Sequence, residues 1–193
     1  MAGAMIQVRA ALDRWRNAAV DGEQLMVVNR LVAGLLVLAF NVWAQQRGLT
    51  SGFPLIAAGV YLLLGGLIGL HLFVRTVVST PRRIAALLHD CAAISYELHI
   101  AGGAAAWLFA GYPWVIFGNG FRFGSRFHGL CMVATTAGFL LMSAVTPFWI
   151  DQPALVLGGV ISLAVVPLYA LALIKRLSQA MHQAEEASRA KSL

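Results

Sequence analysis

Residues 153–174 read PALVLGGVISLAVVPLYALALI, twenty-two positions without one charged side chain. A helix needs about 20 predominantly apolar residues to cross the hydrocarbon of a bilayer, and this stretch supplies them. Five more stretches of the same kind lie upstream, at 25–44, 54–74, 84–100, 101–118 and 127–146. The breaks between them fall at Gly48 to Gly52, at Pro81, at Gly102-Gly103, at Gly118 to Gly124 and at Pro147 to Pro153, where turn chemistry expects them. The pattern predicts an all-α, polytopic membrane bundle of six transmembrane helices. Five is the alternative count, because only one glycine pair divides the third stretch from the fourth.

Composition says the same. Of 193 residues, 60% are hydrophobic and 11% charged, with mean hydropathy +0.77. Soluble domains run at about 45–50% apolar and about 25% charged. Soluble enzymes, secreted disulfide scaffolds and nucleic-acid binding are therefore set aside. The net charge of +6 does not bring nucleic acid back as a partner, since its cations stand in short clusters between apolar runs. Cys91 and Cys131 both fall inside apolar stretches, which implies no disulfide framework.

The cations also test the count. With six spans, one side holds Arg9, Arg14, Arg16, Arg30, Arg75, Arg82, Arg83, Arg122, Arg126, Lys175, Arg176, Arg189 and Lys191, and the other keeps Arg47 alone. An excess of this kind marks the cytoplasmic face, so both termini are expected in the cytoplasm. The expected organisation is a cytoplasmic amphipathic segment over 1–24, a transmembrane bundle over 25–174, and a cytoplasmic helix over 175–193. In the first, Met5, Val8, Leu12, Trp15 and Ala19 recur at helical spacing, which suits a helix lying in the interface or, equally, a loose basic arm. In the last, Leu177, Ala180, Ala184 and Ala187 make a weak stripe that continues span six without a break.

Ionisable groups inside a bilayer are costly, by about 2.5–3.5 kcal/mol on insertion scales, and are read first as functional. Asp90 and Glu97 are the carboxylates of the third stretch. Seven residues apart, they lie about 20° apart around a helix and about 10 Å apart along it. Ala86, Ala93 and Ala101 fall near the same stripe, and small faces pack against helices. Both carboxyls should point into the bundle, either as a site or as internal structural glue. For Asp90, near the cytoplasmic end, the expected partner is Arg122. Glu97, further out, is placed to offer a hydrogen bond to a ligand's acid group.

The fourth stretch is uncharged and rich in aromatics. Trp107 and Trp114 share a face that suits an acyl chain, or plain packing and interface anchoring. After it comes Gly118-Asn119-Gly120-Phe121-Arg122-Phe123-Gly124, read as a membrane-embedded turn because Asn-Gly readily supplies positive φ. Gly65 and Gly69 form a small-residue pair for helix contact. His71 and His89 match in depth, but two residues are a weak haem or metal pattern. No metal and no cofactor is expected.

Asp90, His99 nine positions on, and the glycine-rich run after Trp114 together resemble the membrane input region of the RpfC-type sensor histidine kinases that detect diffusible signal factor. The stretch Glu185-Glu186-Ala187-Ser188-Arg189-Ala190-Lys191-Ser192 is similar to the linker that leads into a kinase's phosphoacceptor segment. The resemblance implies an inner-membrane, multi-pass receptor module of a two-component system, binding a cis-2-unsaturated fatty acid in quorum sensing and forming a homodimer. It implies a cytoplasmic kinase and a response regulator as partners through a region beyond residue 193, so this chain itself is not expected to be an enzyme. An acid entering between spans three and four would lay its tail on Trp107 and Trp114 and its head near Glu97, His99 and Tyr96. Asp90, Asn119, Gly120, Arg122, Gly124 and Pro167 would carry structure and signal, with Pro167 a flex point in the helix that delivers it. A small proton-coupled transporter using Glu97, or a structural subunit, is the rival reading, although no internal repeat supports transport.

Overall fold

The computed structural model describes residues 22–191, so the amphipathic pattern read at 5–20 lies outside the described residues. Among these the protein is helical throughout. Helix α1 spans Glu23–Gln46, α2 Phe53–Val74 and α3 Thr80–Ala101, followed by a 3-10 stretch, Gly102–Ala110. Then come α4 (Gly111–Phe123), α5 (Ser125–Val145), the single turn α6 (Pro147–Ile150) and α7 (Pro153–Lys191). Five stretches are long and apolar enough to cross a membrane: α1, α2, the run Thr80–Phe123, α5 and the part of α7 up to Met181. Their outward faces carry Leu35, Leu36, Leu63, Val133, Leu141 and Leu157, all exposed. Water would not tolerate that much contiguous apolar surface, whereas lipid solvates it. This is a multi-pass membrane protein.

The run Thr80–Phe123 holds 44 residues and both the third and the fourth sequence segments. At about 1.5 Å per residue, 44 residues of unbroken helix would measure about 66 Å, twice the hydrocarbon thickness of about 30 Å. The break falls at Gly102, which closes α3 with φ +54°, a backbone conformation that side chains with a Cβ rarely adopt. Beyond it, Gly-Gly-Ala-Ala-Ala lets the chain wind as a nine-residue 3-10 helix, long for its type.

The chain divides between Phe109 and Ala110 into two compact units. In the first, α2 packs against both α1 and α3. Glycines set the approach of α1 to α2. A Cβ added at Gly65 would stand 2.9 Å from the Arg30 side chain, and one at Gly69 would stand 2.8 Å from Val27, so the small-residue pair does serve a helix contact. Helix α3 starts cleanly: Ser79 Oγ accepts from the Arg82 amide at 3.5 Å, and Pro81 sits in the first turn, where its missing N–H costs nothing.

In the second unit, α5 packs on α4 and on α7 around Tyr112, Ile116, Cys131, Phe139 and Leu163. The Phe139 ring stands edge-on to Tyr112 at 6.1 Å and to Trp149 at 5.4 Å. The glycine-rich run departs from the expected turn. Asn119 and Gly120 lie inside α4, which continues to Phe123, and the chain reverses at Gly124 alone, with φ +87°. The buried Asn119 amide donates to the Val115 carbonyl one turn back, at 2.8 Å. Asn-Gly favours a turn only when nothing else requires the glycine, and here packing against α5 requires it.

Candidate functional site

Helices α1 and α3, each packed on α2, run in the same direction and are joined by three polar rungs. At their N-terminal ends the buried Glu23 takes Arg82 and Arg83, each at 2.6 Å. Arg82 goes on to donate to the carbonyls of Arg75 at 3.2 Å and Val77 at 2.7 Å, tying the loop before α3 to the same charge.

The middle rung is Arg30–Asp90. Nε donates to Oδ1 and Nη2 to Oδ2, both at 2.6 Å, with both side chains buried. The two-pronged geometry matches a planar guanidinium to a carboxylate. Tyr61 of α2 adds a hydrogen bond from its hydroxyl to Oδ1 at 3.1 Å, and its ring stacks on His89 at 4.7 Å. Arg30 reaches this position through the space that Gly65 leaves. A charge in hydrocarbon needs a paired and hydrogen-bonded counter-charge, and every element for it is present.

Asp90 therefore does face inward, but its cation is Arg30 and not Arg122. The Arg122 guanidinium donates instead to the Gly118 carbonyl of its own helix, at 3.3 Å. Sequence reasoning passed over Arg30, although it is a charge set within an apolar stretch just as Asp90 is. The same cost argument, applied to the cation, points to it.

The third rung lies one heptad further along α3. The buried Glu97 accepts a hydrogen bond from the Asn41 side-chain amide, which also donates to the Pro54 carbonyl at 3.0 Å. The Asn41 carbonyl oxygen is buried with no hydrogen-bond partner. Next to Asn41, the Phe40 ring meets Trp107 edge-on at 5.0 Å and Trp43 at 5.8 Å. The rung thus gathers a carboxyl, an amide with an unmet acceptor, and an aromatic cluster whose Trp107 and Trp43 are about half exposed. The rung sets buried hydrogen-bonding groups beside an apolar surface.

The other expected ligand residues are placed differently. Tyr96 is 54% exposed and His99 is exposed, about 60° apart around α3, while Glu97 turns away from both into the bundle. Trp114 belongs to the second unit, where its ring is 65% exposed. Pro167 is buried inside α7, and its carbonyl accepts from His128, a residue that the sequence pattern did not single out.

No family model matches the chain, and no solved structure does. It is 30% identical over 185 residues, 94% of its length, to the sensory/regulatory protein RpfC from each of two strains of Xanthomonas campestris pv. campestris. It spans a quarter of the length of those relatives.

Proposed function

Because the chain is homologous to the sensory/regulatory protein RpfC over nearly its whole length, we propose that it is the membrane input module of a sensor histidine kinase, responding to a fatty-acid-like signal of the cis-2-unsaturated type. The observation that carries the ligand reading is the third rung: a buried Glu97 held by Asn41, an unmet acceptor on Asn41, and the Phe40–Trp107 rings alongside. An acid dissolved in the outer leaflet meets Tyr96 and His99 first, on the exposed side of α3. Its neutral carboxyl then has a donor to give to Asn41, and its tail has Trp107 to lie on.

Ligand binding acts only by favouring one of two arrangements of the bundle. Helix α7, continuous from Pro153 to Lys191, carries that preference towards a cytoplasmic kinase region and its response regulator. In this reading the protein is a homodimer in the bacterial inner membrane with both termini in the cytoplasm, and 175–193 is the linker helix.

Calorimetry of the chain in detergent with a cis-2-decenoic-type acid tests the ligand. Saturable binding is expected, weakened tenfold or more by Asn41→Leu or Glu97→Ala and severalfold by Trp107→Ala. Binding that is absent, or indifferent to all three, overturns it.

A further inference from the structure

We infer that His128 is a positioning residue that pins the C-terminal helix at its proline, an assignment that rests on reading α7 as the output helix. His128 is fully buried on α5, and its Nε2 lies 2.8 Å from the Pro167 carbonyl oxygen of α7. An oxygen of this kind only accepts, so Nε2 carries the proton and donates. The bond lands where α7 is weakest. Proline has no N–H, so the Leu163 carbonyl loses its partner four residues on, and the helix can bend there. One buried imidazole thus restrains the helix at its natural bending point.

The glycine-rich run provides the seat. A Cβ at Gly120 would collide with the His128 ring, standing 2.9 Å from its Cβ and Cγ, so α4 can hold the imidazole only with glycine there. The Phe117 ring, one turn earlier on α4, has its centroid 5.9 Å from that of the imidazole. Its Nδ1 is buried without a hydrogen-bond partner. Nothing polar on α4 competes for the ring, and Pro167 is its one hydrogen-bonded anchor among the described residues. Gly120, His128 and Pro167 form a chain of contacts from the glycine-rich run to the output helix.

Hydrogen–deuterium exchange of the whole chain in lipid nanodiscs tests this without any ligand. His128→Leu is expected to speed exchange of the α7 amides after Pro167 by about three- to twentyfold, the range that interhelical hydrogen bonds in membranes span. His128→Gln, whose amide can reach the same carbonyl, restores most of the protection. Gly120→Ala, which displaces the ring while keeping its N–H, reproduces the Leu phenotype, and combining the two adds little. Pro167→Ala, which returns the missing helix N–H, shrinks the effect of His128→Leu. Exchange in α1 and α2 stays unchanged throughout and shows that folding is intact. Equal exchange in wild type and His128→Leu, or no rescue by Gln, overturns the assignment. A fatty acid that fails to bind overturns the ligand reading and leaves this comparison to be judged by its own result.

Discussion

Arg30 and Asp90 show how the bilayer turns a single residue into a structural commitment. Each alone would be a charge stranded in hydrocarbon, and together they satisfy one another through two hydrogen bonds with Tyr61 as a third donor. Removing one partner of a buried pair costs about 3–5 kcal/mol, because the survivor stays buried and unpaired, while replacing both with apolar groups of similar volume is often neutral. Arg30→Ala or Asp90→Ala is therefore expected to lower stability by about that amount, and Arg30→Met with Asp90→Leu to recover most of it. Denaturant unfolding in micelles measures this. A double variant as unstable as the worse single one would assign the pair a role beyond mutual neutralisation. The pair was half legible: cost alone marks Asp90 as inward-facing. Its partner was not, because face arithmetic orders residues on one helix and says nothing of which helix stands opposite. Position in the chain suggested Arg122, whereas packing through Gly65 delivers Arg30.

Among the elements, boundaries were the most readable feature. Gly48, Pro81, Gly102 and Pro153 all stand at breaks or starts of helices, because a positive φ and a missing N–H are local properties that no distant contact can change. The Asn119-Gly120 reading failed for the converse reason. Its glycine answers to the His128 ring, eight positions away and on another helix, so a tertiary demand overrode a local preference. The same physics governs α1 against α2. Gly65→Leu and Gly69→Leu put side chains where Arg30 and Val27 already lie, and overpacking of this kind costs about 1–3 kcal/mol. Their unfolding midpoints should fall accordingly, Gly65→Leu the further because it also displaces the Arg30 side chain. A substitution at Gly66, which has open space around its Cβ position, is the matched control.

For the whole molecule, hydropathy made the membrane class and the helical architecture plain, and the homology to RpfC agrees with the resemblance carried by the glycine-rich run. Six crossings are the expectation read from the two apolar stretches within Thr80–Phe123 and from the placement of the cations along the sequence. Six crossings put Leu49 outside, with Val77 and the end of α7 inside. Cysteines placed at Leu49, Val77 and Ser188, in a background where Cys91 and Cys131 are replaced by serine, should label from opposite sides: the first with an impermeant reagent on intact cells, the other two only after the membrane is opened. Labelling of Leu49→Cys and Ser188→Cys from the same side would mean five crossings instead.

The rungs at Glu23, Asp90 and Glu97 have a mechanical corollary. Two parallel rods fastened near the top, the waist and the foot resist shear: sliding one along the other would break every tie in a solvent that offers no substitutes. Together they act as a splint, so a disturbance arriving at one end is handed on by tilting or turning the pair as a unit and cannot be absorbed as slippage within it.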